Sequence, residues 1–119
     1  MARFRLALAA RADLLRILVA SEARWGRDAR RRYETALAAT MRQAAFSPEA
    51  PLTRNRSELL PGLGSLHLRH GQHSDPRARV KRPVHVVFFR PVEPGLIEIV
   101  RVLHERMEPS RHLGDPSES

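Results

Sequence analysis

An α+β fold, one sheet with a helical hairpin packed on a single face, is predicted by three features of this 119-residue sequence. Apolar residues alternate at the N-terminus. The apolar period then lengthens to three and four residues over two consecutive segments joined by a glycine. Three further strand-like runs follow a connection rich in proline and glycine. A strand, two helices and then three strands close most economically as one sheet carrying the hairpin.

Each element has its own signal. Phe4, Leu6 and Leu8 alternate with Arg3, Arg5 and Ala7, the period of a half-buried strand. Leu14, Ile17, Leu18, Ser21 and Trp25 then recur at helical steps. Asp13 is expected in that helix's first turn, where a negative charge complements the dipole. Gly26 supplies a C-terminal stop. A second helix is expected over residues 28–45, with Tyr33, Leu37, Met41 and Ala44 as its apolar stripe and Arg30, Arg31, Arg32 and Arg42 mostly off it. A short glycine turn between two helices makes them antiparallel. Ser47 and Pro48 end the second.

Residues 48–64 carry Pro48, Pro51, Pro61, Gly62 and Gly64 and read as a surface connection. Strands are expected over residues 65–70, 84–89 and 96–103. The middle run is apolar except for His85 and suits a central strand covered on both faces. Turn chemistry over residues 91–95 makes the last two strands an antiparallel hairpin. Residues 71–83 form a polar, basic excursion, and residues 114–119 are expected to be a disordered tail. Residues 1–113 therefore constitute a single domain, the number this length supports.

Twenty-one Lys plus Arg against 13 Asp plus Glu leave a formal charge of +8. That excess favours nucleic acid, an anionic membrane or an acidic protein and does not choose among them. The absence of cysteine removes disulfides, thiolate metal sites and thiol catalysis. The apolar stretch from Leu6 to Ala10 is interrupted by Arg11, Asp13 and Arg16. It falls short of the roughly 7–15 residues of a signal core and of the about 20 of a membrane helix. A soluble intracellular protein is expected.

Several segments, in order, resemble one family. Asp13-Leu14-x-x-Ile17 and Arg24-Trp25-Gly26 resemble the first helix of ParE-type toxins in the RelE/ParE superfamily. Pro61-Gly62-Leu63 and Ser65-Leu66 resemble the entry into that family's second strand. The most specific block is C-terminal: residues 84–90, Gly95, Ile97-Glu98-Ile99-Val100-Arg101-Val102-Leu103-His104, Met107 and Arg111-His112-Leu113. The similarity runs over residues 4–113. Phe89 replaces a frequent tyrosine, Glu108 a frequent aspartate, and residues 71–83 are longer than in the simplest members. The resemblance implies a RelE/ParE-like fold and a cytoplasmic toxin that inhibits DNA gyrase by binding. It also implies a small ParD-like antitoxin, encoded beside the toxin, that neutralises it in a hetero-oligomer. RelE-like relatives are ribosome-dependent mRNA endonucleases, and a shared fold does not decide between the two activities. A decayed member that binds only its antitoxin is a third reading. No cofactor, metal or membrane enters any of them.

An endonuclease would need an acid or base and cations for a developing phosphorane; Arg82, Arg101 and His104, with Lys81 beside them, are the residues on offer. Arg101 and His104 are three apart, which sends them to opposite faces of a regular strand. His104 reads instead as an end-of-strand histidine. The same argument along a strand separates His67, His70 and His73, and Glu98 is an isolated carboxylate, so no metal site is expected. Arg77, Arg79, Lys81 and Arg82 are either a solvated loop or an electrostatic contact for a partner. Without interleaved aromatics the run does not suit single-strand stacking.

Antitoxins of this kind wrap the toxin with an amphipathic segment. Leu18, Val19, Trp25, Tyr33, Leu37 and Met41, together with Arg69 and Arg90, are the expected contacts, although most of the apolar ones also read as hairpin core; Val19 lies off the Leu14/Leu18/Trp25 face. Arg101 interrupts an apolar strand, where an unpaired buried charge is costly. It must pair internally or face a partner. Arg101, His104, Arg106, Met107, Arg111, His112 and Leu113 are the residues expected to engage the target, since a mixture of basic groups with apolar anchors suits protein contact. Met107 and Leu113 could equally fold back onto the sheet.

Overall fold

The computed structural model describes residues 2–113. The tail expected over residues 114–119 lies outside them. Strand β1 (Arg3–Leu6) leads into helices α1 (Leu8–Trp25) and α2 (Arg27–Phe46). A two-residue strand β2 (Arg54–Asn55) and β3 (Gly64–His67) follow, then the single-turn helix α3 (Leu68–Gly71). Strands β4 (His85–Glu93) and β5 (Leu96–His104) form the closing hairpin. The five strands make one sheet in the order β1-β5-β4-β3-β2, parallel between β1 and β5 and antiparallel elsewhere. The expected α+β architecture is the observed one.

Two cores flank the sheet. On the hairpin side, the small residues Ala10, Ala36, Ala39 and Ala44 let the helices approach Val87, Phe89, Ile97 and Ile99 closely. On the opposite side, Phe88 and Leu103 are covered by Leu60, Leu63 and Leu113. Residues 86–89 of β4 are thus covered from both faces, as the apolar run there predicts. Gly26 makes the turn between the helices at φ +91°, a conformation that glycine adopts without strain.

The structure departs from the sequence reading at several places, each with a local cause. The first strand stops at Leu6, and Leu8 opens α1 as a solvent-exposed residue. Asp13 sits beyond the first turn of α1 and is almost wholly buried, so it does not serve the helix dipole. Trp25 ends the helix on the surface, 69% exposed, rather than on the core stripe. The connection over residues 48–64 contains β2, which adds an edge strand to β3.

The strand expected over residues 65–70 ends at His67. There the imidazole accepts a hydrogen bond from the Arg69 amide at 3.0 Å, which caps α3 and turns the chain. His70 and His73 therefore do not share a strand with His67. The excursion over residues 71–83 is packed against α2: Gly71 lies on Thr40, Ser74 Oγ donates to the Ala39 carbonyl, and the Gln72 amide exchanges two hydrogen bonds with the Val80 backbone.

Candidate partner groove and C-terminal surface

Between the hairpin and the sheet lies a groove of about 1100 Å³. Ile17, Ala20 and Trp25 of α1 and Tyr33 of α2 form one wall, and Val80, Lys81 and Arg82 form the other. The end of β5 makes its floor, closed by Met107 and His112. Arg16, Arg24, Arg32, Arg79, Lys81 and Arg82 stand around it. Among the described residues, Asp13 is the one carboxylate in the lining, and it is buried. An apolar channel with a cationic rim suits an acidic amphipathic segment better than a polyanion, which would leave the apolar wall wet.

The floor is an ordered set of polar groups. The Val84 amide donates to Tyr33 Oη at 3.2 Å, leaving the phenol proton for His85 Nδ1 at 2.6 Å. His85 is thereby held as the neutral imidazole protonated on Nε2. Burial, reinforced by the neighbouring His104 and His67, pushes its pKa down to about 4, and burial also raises the Tyr33 phenol. His85 pairs with His104 across the β4–β5 ladder, and their rings meet edge to face at 5.6 Å.

Arg101 is fixed more firmly still. Its Nε donates to Asp13 Oδ2 at 2.7 Å and its Nη2 to Asp13 Oδ1 at 2.8 Å. The Val102 amide donates to the same carboxylate at 2.9 Å, and Arg16 also pairs with it. The remaining nitrogen, Nη1, donates to the His112 carbonyl at 2.7 Å. The Asp13 carboxylate holds the Arg101 guanidinium above its ordinary pKa. Arg101 thus pairs internally, one of the two alternatives its place in an apolar strand leaves open.

A β-bulge interrupts β5 just before Arg101. Phe88 pairs with Arg101 but Phe89 with Ile99, so β5 carries one extra residue, Val100. The alternation resets there: Ile97, Ile99 and Val102 pack on the hairpin side, Val100 and Leu103 on the other. From Arg101 to His104 the ladder is regular, so the two still alternate in face; both nevertheless line the groove, as does Arg82, because it wraps the end of β5 and takes in Val102 and Leu103 as well.

The other expected residues are scattered by depth. Leu37 and Met41 are core, and Leu18 is half-buried against it. Val19 and Trp25 are exposed, and Tyr33 reaches the groove. Arg90 lies elsewhere, on Glu98 at 3.0 Å, with Arg5 on that residue's other oxygen. Arg69 borders a second concavity of about 720 Å³ on the opposite sheet face, beside a His67–Glu105 hydrogen bond of 2.6 Å. That bond holds the Glu105 carboxyl below the usual range. In the C-terminal segment, Arg106, Met107 and Arg111 are exposed, His112 is half-buried and Leu113 belongs to the second core. Asp13 and His85 are the groove residues that sequence reasoning missed. The signal for Asp13 was available in a carboxylate next to the apolar stripe of α1 and a lone arginine in the apolar strand β5.

The family described as the ParE toxin of the type II toxin–antitoxin system parDE matches residues 4–109. Toxin ParE1 of Mycobacterium tuberculosis is 32% identical over 111 residues, covering 93% of this chain and 97% of that protein. Toxin ParE1 of Caulobacter vibrioides is 35% identical over 114 residues, with the same shares covered. Strand, helical hairpin and antiparallel strands follow one another here as in the RelE/ParE-like fold, and with relatives matched nearly end to end the chain belongs to the ParE toxins of type II toxin–antitoxin systems.

Proposed function

We propose that the chain inhibits DNA gyrase by binding it in the bacterial cytoplasm, and that a small ParD-like antitoxin neutralises it in a hetero-oligomer. The antitoxin places an acidic amphipathic segment in the groove between hairpin and sheet. The target meets the C-terminal segment, where Arg106, Met107 and Arg111 project from a stretch anchored by Arg101 and Leu113. The reading calls for no cofactor.

The observation that carries binding over RNA cleavage is the state of Arg101. All three of its guanidinium nitrogens are engaged, two by a buried carboxylate and one by a backbone carbonyl. Stabilising a phosphorane requires free donors aimed at the charge as it develops, and Arg101 would first have to leave Asp13 as an uncompensated buried charge. Arg82 and His104 share the groove, but Asp13, its carboxylate, accepts from four donors and is unsuited to act as a base.

A supercoiling assay with purified gyrase, with and without antitoxin, tests the reading. Dose-dependent loss of supercoiling is expected, relieved by antitoxin and weakened by Arg106→Glu with Met107→Ala. Full supercoiling at micromolar toxin would remove gyrase as the target, and ribosome-dependent mRNA cleavage would be assayed next.

A further inference from the structure

We infer that Asp13 is a positioning residue for the C-terminal segment: through Arg101 it sets where residues 105–113 stand, and so whether they can engage a target. The inference rests on the reading of that segment as the target surface. Asp13 is 2% exposed and lies on α1, far in sequence from the strand it serves. Its two oxygens take both the Nε and Nη2 donors of Arg101 and the Val102 amide at the β5 bulge. The guanidinium is rigid and planar, so fixing two of its nitrogens also aims the third. That third nitrogen holds the His112 carbonyl at 2.7 Å. Leu113, the next residue, is thereby delivered into the pocket of Leu60, Leu63, Phe88 and Leu103. Between this clasp and the end of β5, the segment has a single turn of 3-10 helix, capped by Glu108. Its remaining long side chains, Arg106, Met107 and Arg111, face solvent. A carboxylate on the first helix therefore governs the placement of the chain's last described residues.

Two variants test this. Asp13→Asn removes the charge, and Arg101→Lys keeps it but replaces the guanidinium fork by one ammonium nitrogen, which cannot hold Asp13 bidentately and reach His112 from a second fixed position. The lysine variant retains a neutralised buried pair and is the one expected to fold if the other does not. The readouts are tryptic cleavage after Arg106 and Arg111, cleavage at the interhelical turn after Arg24 and Arg27, and growth arrest on induction in cells. Cleavage at the two C-terminal sites should accelerate by at least about tenfold while the interhelical sites keep their wild-type rate, because loss of the clasp opens one local unit. Growth arrest should weaken in parallel. Unchanged cleavage after Arg106 and Arg111 in folded Arg101→Lys would overturn the inference, as would a released segment with undiminished growth arrest. Growth arrest is read without reference to gyrase, so wild-type toxin that stops growth but spares supercoiling refutes the proposed target and leaves this inference to be judged on its own result.

Discussion

Tyr33 of α2 and His85 of β4 join the hairpin to the sheet through a hydrogen bond of 2.6 Å at the floor of the groove. The same phenol oxygen accepts from the Val84 amide, so one hydroxyl serves two strand groups at once. Tyr33→Phe strands that amide and removes the donor to His85. The expected cost is about 1–2 kcal/mol in urea unfolding. Because the lost bond favoured the neutral imidazole, the His85 midpoint should rise above its value of about 4, read by NMR titration of the ring. A midpoint that stays put would show that burial and the neighbouring histidines hold His85 neutral without the phenol.

His85 also makes stability depend on pH. Its folded value of about 4 lies below the ordinary 6.5, so between those values the unfolded chain takes up a proton that the folded chain refuses. Stability therefore falls as pH falls from 6.5 to 4. The groups facing the ring divide in sign: His104 and His67 oppose its protonation, Asp13 and Glu105 favour it. With the ring only partly buried, the contribution is roughly 2 kcal/mol across this window. Chemical unfolding of wild type and His85→Phe at a series of pH values checks the sign; equal slopes between pH 4 and 6.5 would count against it.

Gly26 and Gly71 should fail for different reasons when changed to alanine. A Cβ at Gly26 meets nothing within 4 Å, but φ of +91° strains it, at a cost of about 1 kcal/mol. A Cβ at Gly71 would sit 2.6 Å from Thr40 Cγ2 and 2.8 Å from the Thr40 Cα, with the neighbouring backbone unable to yield. Overpacking of this kind costs roughly 1–3 kcal/mol. Thr40→Ser added to Gly71→Ala removes the crowding methyl and should recover part of the loss, whereas the Gly26 variant should show no such rescue in thermal unfolding.

Depth separates partner contacts from core. Leu37→Ala empties a side chain that is 2% exposed and should cost about 2–5 kcal/mol. Trp25→Ala removes a groove residue that is 69% exposed and should leave stability within about 1 kcal/mol. Antitoxin affinity should respond in reverse, with Trp25→Ala weakening it by about tenfold or more in calorimetric titration. Unaltered affinity would take α1's C-terminal end out of the interface.

Charge on the rim should govern the rate of association. Arg24→Glu with Arg82→Glu is expected to slow antitoxin binding by about tenfold or more at low salt and to flatten its salt dependence, with dissociation changing less. Stopped-flow measurements at several ionic strengths would show this. A salt-independent wild-type rate would argue against an acidic occupant.

Sequence alone determined what depends on neighbours along the chain. The two-residue period of β1, the helical stripes, the glycine turn and the apolar run of β4 each follow from local spacing, and together they give the α+β order. The ordered motifs gave the family. What only tertiary structure decided depends on residues distant in sequence. Asp13 reads locally as a dipole partner, and burial against β5, far along the chain, makes it the holder of Arg101. His67 reads as part of a strand until its ring caps the next turn. The bulge at Val100 has no composition signal, because an extra residue on one strand is defined by register against the other. That bulge puts Ile99 and Val102, three apart, on the same face of the sheet. A periodicity argument fixes which face a residue takes only while the ladder stays regular, and the ladder is a property of two strands.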